Sequence, residues 1–321
     1  MYGVKCLGVG KALPKYCMTN EAMSKIVDTS DEWITSRTGI KQRYLSTGES
    51  TTDLAVTAAK VAIEKAHINA SDIDMIIVAT ITPDYVMPSV ACRVQAAIGA
   101  EHATAFDITA ACSGFLYGAK IATDAIKVGS AAYVLVIGAE VLSKTIDWSD
   151  RGTCVLFGDG AGAAIFSKHH KNHIINIYTE SNGVGGDVLT LPGTSLKNCV
   201  VQKEPLSPYM QMDGRAVYKF ATTVVPNSIE RVLEGTPYAL EDIRYFILHQ
   251  ANSRIMDSVA KKIGVPSERF FKNLNHYGNT SSASIPMALY DVSQQLNPGD
   301  VIVLSGFGGG LTWGSMLLTW E

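Results

Sequence analysis

Ser71-Asp-Ile-Asp-Met-Ile-Ile-Val78 and Glu241-Asp-Ile-Arg-Tyr-Phe-Ile-Leu248 are two versions of one phrase, 170 positions apart (241 − 71). In each, a polar start runs into a short unbroken apolar stretch, which reads as a strand buried on both faces of a sheet. A helical stretch ending in Ile-Gly follows both, at Ile98-Gly99 and Ile263-Gly264. A second pair, Val134-Leu-Val-Ile-Gly138 and Ile302-Val-Leu-Ser-Gly306, recurs at an offset of 168 (306 − 138). After each comes a Gly-rich turn and a short expected strand, Ala161–Phe166 or Ser315–Trp320. Nearly equal offsets at two separate places predict two copies of one βαβ-rich unit, residues 1–170 and 171–321.

Apolar runs at Met75–Val78, Tyr133–Ile137, Phe246–Leu248 and Val301–Leu304 alternate with helical stretches at Thr52–Ala66, Ser89–Ile98 and Ser253–Ile263. Ser50-Thr-Thr-Asp53 supplies caps for the first helix. The alternation predicts an α/β layered fold. At 321 residues, 47% hydrophobic and 18% charged, the chain can bury a large core and is not disordered. Lys and Arg number 27 against 30 Asp and Glu, which argues against a general nucleic-acid or anionic-membrane surface. No apolar run is long enough for a membrane span. The opening Met1-Tyr-Gly-Val-Lys-Cys6 lacks a leader's apolar segment. The six cysteines, at 6, 17, 92, 112, 154 and 199, form no C-x-x-C pair. They predict free thiols in a reducing, cytoplasmic setting, five of them packing. His169-His-Lys-Asn-His173 stands between the halves with no Cys or carboxylate beside it in sequence. It reads as a solvated turn, so no metal site is expected. Ser181–Pro208 reads as irregular linker. Gly158-x-Gly160-x-x-Ala163 mimics a dinucleotide fingerprint but leads into a strand rather than a helix, which excludes that reading.

Four stretches can carry chemistry. In Phe106-Asp-Ile-Thr-Ala-Ala-Cys112-Ser-Gly114 a strand ends in small residues and a helix begins. A Cys there meets the positive helix end and unpaired first-turn N–H groups, which favour thiolate. His249 follows a buried strand in Phe246-Ile-Leu-His249-Gln-Ala-Asn252, at the carboxyl edge where α/β sites gather. Asn279 lies in the small, polar loop Tyr277-Gly-Asn-Thr-Ser-Ser-Ala-Ser284. Gly306-Phe-Gly-Gly-Gly310 follows another buried strand and lets backbone N–H groups approach a ligand, as an oxyanion hole requires. The repeat puts all four at strand ends of equivalent units, where Cys, His and Asn can serve covalent acyl catalysis.

At these residues the chain resembles the ketoacyl-acyl-carrier-protein synthase III family, condensing enzymes of the thiolase-like superfamily. The matching words run nearly end to end: Asp31-Glu-Trp-Ile-Thr-Ser-Arg-Thr-Gly-Ile40, Ala111-Cys-Ser-Gly114, Asp150-Arg-Gly-Thr153, Phe157-Gly-Asp-Gly-Ala-Gly162, His249-Gln-Ala-Asn252, Tyr277-Gly-Asn-Thr280 and Gly306-Phe-Gly-Gly-Gly310. The resemblance implies a five-layered αβαβα fold from two duplicated halves, and a homodimer. It implies that Cys112 takes an acyl group from acyl-CoA and that His249 and Asn279 stabilise the enolate of malonyl-acyl-carrier protein. The N–H groups of Cys112 and Gly309 would form the oxyanion hole. Trp33, Arg37, Arg151, Gly214 and Asn252 would bind CoA, with Trp33 and Arg151 sandwiching the adenine. Met87, Leu156, Phe157 and Phe307 would bound the acyl pocket, Met87 reaching it from the partner subunit. Lys219, Arg254, Lys261 and Lys262 would receive the acidic carrier protein. No cofactor is implied, since acyl-CoA is a substrate.

The final Gly-rich loop lacks the second Cys of thiolases, Asn279 replaces the second His of elongating synthases, and Gly309 stands where plant-type polyketide synthases carry Pro. These differences favour the initiating, CoA-primed class. Met87 stands where relatives often have Phe, and a flexible Met predicts tolerance of branched short primers. A secondary-metabolism acyltransferase or a quinolone- or polyketide-type synthase on the same fold stays open, as does a Cys hydrolase or a non-catalytic acyl-CoA binder.

Overall fold

The computed structural model describes residues 1–321. The strands are β1 (Gly3–Ala12), β2 (Tyr16–Thr19), β3 (Gln42–Leu45), β4 (Met75–Ala79), β5 (Thr104–Ile108), β6 (Tyr133–Glu140), β7 (Gly160–His169), β8 (Ile174–Ser181), β9 (Leu189–Thr190), β10 (Gln211–Met212), β11 (Ile243–Leu248), β12 (Val301–Gly308) and β13 (Thr312–Thr319). The helices are α1 (Asn20–Met23), α2 (Asp31–Thr38), α3 (Thr51–Ala66), α4 (Val90–Ile98), α5 (Gly114–Val128), α6 (Arg151–Cys154), α7 (Gly214–Leu233), α8 (Ser253–Ile263), α9 (Leu274–Tyr277) and α10 (Ser284–Val292).

Two mixed sheets form, ordered β1-β7-β6-β4-β5 and β11-β12-β13-β8. Between them lies a helix layer. Phe115, Leu116 and Ile126 of α5 and Ile285 and Leu289 of α10 share one core with Ile77 and Val136 from the first sheet and Ile247 and Leu304 from the second. The outer face of the first sheet is covered by the alanine-rich side of α3 and by α4. The outer face of the second is covered by α7 and α8. The result is the expected five-layered αβαβα stack. The central strands β4, β6 and β12 are buried on both faces, which is why their runs are almost continuously apolar.

The repeat reappears as register. Val78 of β4 pairs with Ile137 of β6, and Leu248 of β11 pairs with Ser305 of β12, both in parallel. These are the same pairs moved by the two sequence offsets (78 + 170 and 137 + 168). Antiparallel β6–β7–β1 corresponds in turn to β12–β13–β8. The counterpart of β5 shrinks to one parallel bridge, Phe246 with Phe270.

The structure departs from the sequence reading in four places. β7 and β13 are ten and eight residues long, not short strands, because each pairs along its length with two neighbours. β8 goes unread in the sequence; it is only partly buried at the sheet edge and lacks a continuous apolar run. The supposed linker contains β9, which pairs with β10 just beyond its end. Finally, Cys92 and Cys199 are exposed and so are not packing residues; all six thiols are free. No helix is long and apolar enough to cross a membrane.

Where the halves meet, β6 crosses the other half's active loop. A Cβ at Gly138 would stand 2.1 Å from the Ser282 carbonyl oxygen, closer than any side chain tolerates. Gly138→Ala is therefore expected to destabilise the fold by about 3 kcal/mol or more, lowering Tm by about 5 °C or more or abolishing soluble expression. Gly193→Ala, at a site with open space, should melt like the parent; differential scanning fluorimetry compares them.

Candidate active site

Cys112 lies in the tight turn Ala111–Ser113 between β5 and α5. The turn requires a left-handed backbone at Ala111 (φ 45°), and Ser281 adopts the same conformation (φ 50°) at the equivalent position of the other half (111 + 170). The two turns touch, with the Cys112 Sγ 3.4 Å from the Ser281 Oγ. Gly308 leaves room for the approach, since a Cβ there would come within 2.6 Å of the Cys112 nitrogen.

The thiol differs electrically from the sequence expectation. Burial pushes Cys112 up from 9.0 to about 12; the Ser281 hydrogen bond opposes this and the Glu140 charge adds to it. A rise of that size corresponds to about 4 kcal/mol, more than the roughly 1 kcal/mol a helix N-terminus offers an anion. Burial thus keeps the Cys112 sulfur a neutral thiol.

His249 directly follows β11, and its N–H donates to the Ser305 carbonyl at 2.8 Å. Its Nδ1 lies 2.6 Å from the Ser284 Oγ, and its ring meets the Phe307 ring edge-on at 5.2 Å. The Ser284 Oγ already accepts from the Gln250 N–H. When the Ser284 hydroxyl gives its hydrogen to Nδ1, the ring proton stands on Nε2 as a donor. Burial lowers the His249 pKa to about 3, so the ring stays neutral. Asn279 is fixed the same way. Its Oδ1 accepts the Ser281 N–H at 2.9 Å, and its backbone bridges Phe157, bonding Leu156 and Gly158. The Nδ2 donor is left for the cavity.

Cys112, His249, Asn279, Leu156, Phe157, Phe307 and Gly308–Gly310 all line one cavity of about 730 Å³, which Gly214 and Asn252 also border. Asn252 caps α8 through its Oδ1 and donates its Nδ2 to the Arg37 carbonyl. Trp33, Arg37 and Arg151 cluster together beyond the cavity lining. Both guanidiniums lie over the indole, at 4.6 Å (Arg37) and 4.8 Å (Arg151) from its centroid. An adenine between Trp33 and Arg151 thus requires the Arg151 guanidinium to leave the ring face. Lys219 on α7 and Arg254, Lys261 and Lys262 on α8 are all exposed; Arg254 also reaches the Ser36 carbonyl and Lys262 the Thr222 carbonyl. Met87 does not line this chain's cavity; it is 85% exposed, beside Tyr85 and Val86.

Sequence reasoning missed Ser281 and Ser284, although applying the repeat offset to Ala111 points to the first. It also missed the cavity walls Leu189–Leu191, from the supposed linker, and Met210 and Met212, just beyond it. Glu140 was missed as well. Fully buried, it accepts from the Thr80, Thr82 and Ser282 hydroxyls and the Ile81 N–H, and burial raises its pKa.

Residues 106–183 match the family described as 3-oxoacyl-[acyl-carrier-protein (ACP)] synthase III, and residues 233–320 match its C-terminal family. The chain is 50% identical to the beta-ketoacyl-[acyl-carrier-protein] synthase III of Clostridium novyi, with 100% of both chains covered. The chain belongs to the 3-oxoacyl-acyl-carrier-protein synthase III family. The solved synthase III of Aquifex aeolicus superposes with a TM-score of 0.92 at 44% identity, covering 99% of this chain and 100% of that one. A priming β-ketosynthase from the R1128 polyketide biosynthetic pathway superposes with a TM-score of 0.92 at 32% identity, covering 100% and 97%.

Two outcomes test the donor geometry in this synthase III chain. Because burial holds His249 neutral down to about pH 3, malonyl decarboxylation should show no inflection near pH 6.5 between pH 5 and 8; a stopped-assay pH profile reads this. Ser284→Ala, by releasing Nδ1, should slow decarboxylation about 10- to 100-fold, the cost of one such hydrogen bond, while leaving acylation of Cys112 near the parent rate.

Proposed function

We propose that this chain catalyses the decarboxylative condensation that initiates fatty acid biosynthesis, joining a short-chain acyl-CoA to malonyl-acyl-carrier protein. The observation that carries this reading is the convergence, in one cavity, of a thiol with two side chains held as hydrogen-bond donors, His249 Nε2 and Asn279 Nδ2. The Cys112 sulfur attacks the acyl-CoA thioester carbonyl, and the Cys112 N–H and Gly309 N–H hold the developing oxyanion. The carbon–sulfur bond to CoA breaks, and CoA leaves carrying the proton. Malonyl-carrier protein then loses CO₂. The electron pair of the broken carbon–carbon bond forms an enolate, whose oxygen His249 and Asn279 stabilise. The enolate carbon attacks the acyl-Cys112 carbonyl, Cys112 departs as thiolate and takes a proton from solvent, and 3-oxoacyl-carrier protein is released.

Neutral donors suit this chemistry. A charged imidazolium would also pair with the malonyl carboxylate in the ground state, whereas Nε2–H interacts most strongly with the charge that develops later. Phe307 and burial keep the ring neutral. Trp33, Arg37 and Arg151 at the mouth are assigned to the nucleotide of CoA, with Asn252 and the Gly214 backbone along the pantetheine. Leu156, Phe157 and Phe307 bound the acyl end. Lys219, Arg254, Lys261 and Lys262 are assigned to the acidic carrier protein, whose approach a basic patch on a mildly acidic protein would steer. The exposed Tyr85-Val-Met87 strip supports a homodimer in which Met87 closes the partner's acyl pocket. Each half, 1–170 and 171–321, contributes to one site. The enzyme needs no cofactor on this reading and works in the cytoplasm.

The deciding assay incubates the protein with acyl-CoA and malonyl-carrier protein and follows CO₂ and 3-oxoacyl product. Cys112→Ala should show no mass gain from acetyl-CoA. His249→Ala should still acylate but lose decarboxylation by about 100-fold or more. Rapid release of free acid without malonyl donor would identify a hydrolase instead. Comparing acetyl-, isobutyryl- and hexanoyl-CoA tests primer choice: the parent should accept the branched primer, and Met87→Phe should shift preference toward acetyl; strict acetyl use by the parent would sink the Met87 argument.

A further inference from the structure

The His169-His-Lys-Asn-His173 run takes no part in condensation, and the fold supplies the carboxylate that its sequence surroundings lack. β7 ends at His169, His173 immediately precedes β8, and Glu321 follows β13. The His173 backbone is pinned on both sides. Its N–H donates to the Val4 carbonyl at 2.8 Å, and its carbonyl accepts the Thr319 N–H at 2.9 Å. The two imidazoles then converge on one carboxylate oxygen: His169 Nε2 lies 3.9 Å and His173 Nε2 3.6 Å from Glu321 Oε2. All three atoms lie within 4.8 Å of one another.

We propose that His169, His173 and Glu321 bind a divalent transition ion of the zinc type, clipping the segment between the two sheets to the end of β13. Tetrahedral zinc with bonds of about 2.0 Å sets its ligand atoms about 3.3 Å apart, so each atom need move by about 1 Å or less. The His173 Nδ1 lies 3.0 Å from the Thr319 Oγ1, and its Nε2 is buried with no hydrogen-bond partner. An orphaned buried nitrogen is costly, and here it is the one facing the carboxylate. The His169 Nδ1 lies 3.2 Å from the Lys171 carbonyl and 3.3 Å from the Lys171 N–H. Donating to the carbonyl frees Nε2 as a ligand, the outer-sphere arrangement common to metal-binding histidines. Two imidazoles and one carboxylate suit zinc, cobalt or nickel rather than calcium or magnesium, and three protein ligands leave a fourth position for water.

One cation already competes. The Lys5 Nζ sits 2.9 Å from the same Glu321 oxygen, and an entering ion must displace it. The site is remote from Cys112. Along the β6–β7 pair, Gly160 faces Glu140 near the active loops while Ser167 faces Tyr133, so His169 lies at the opposite end of the sheet. An ion here acts on stability rather than on condensation.

The test uses chelator-dialysed full-length protein, titrated calorimetrically with Zn²⁺ and spectroscopically with Co²⁺. The expected result is one ion per chain, a tetrahedral Co²⁺ visible spectrum, and a Zn²⁺-dependent rise in Tm. His173→Ala and Glu321→Gln should each weaken binding at least about tenfold, and Thr319→Val by a smaller factor. Condensing activity should be unchanged in all three. Glu321→Gln alters a partly exposed side chain and serves if His173→Ala folds poorly. Unaltered affinity in His173→Ala and Glu321→Gln would overturn the proposal by placing the ion elsewhere, such as on the exposed Cys92 or Cys199 thiols. Absence of saturable binding in the parent would overturn it outright.

Discussion

The structure turns on a reciprocal close contact between two tight turns at its centre. Each central helix begins in a turn with one left-handed residue, Ala111 before α5 and Ser281 before α10. Each turn packs on a glycine of the other half: Ser282 against Gly138 on β6, and Ala111–Cys112 against Gly306 and Gly308 on β12. Glu140 fastens one side, accepting from Ser282 and from the 80–82 loop at once. A fully buried carboxylate is tolerable only when its lone pairs are taken in this way. The cost of that burial extends to the site, since the charge helps to keep Cys112 a thiol.

Around this contact the duplicated unit becomes functionally unequal. One turn carries the Cys112 thiol, the nucleophile of the proposed reaction. The equivalent turn carries Ser281 and Ser282, which position other groups: the Ser281 N–H orients Asn279, and Ser282 binds Glu140. Symmetry thus supplies two structural supports, while the chemistry needs one thiol and two donors. Burial holds His249 uncharged, and its Nδ1 meets the Ser284 hydroxyl.

The candidate residues were legible to different depths. Cys112, His249 and Asn279 stand at strand or loop ends in distinctive small-residue settings. Their convergence follows once the repeat is seen. Ser284 was not legible, because a Ser at a helix start reads equally well as an ordinary capping residue. The Glu321 carboxylate was not legible as a neighbour of His173, since 148 residues separate them (321 − 173) and only the β13–β8 pairing closes that distance.

By itself the sequence determined the α/β class, the duplication and its register, and the residue types available for acyl chemistry. Apolar periodicity and equal offsets are local or additive signals that survive in a linear string. Only the tertiary structure decided the ionisation of the site. A helix N-terminus argued from sequence for a thiolate, but desolvation depends on everything packed around the sulfur, and burial prevails. It also decided which nitrogen of His249 faces the cavity, that Arg37 and Arg151 both lie on Trp33, and that Leu189–Leu191 of the supposed linker form a wall. Each of these depends on contacts between residues far apart in the chain, which a sequence lists but does not measure.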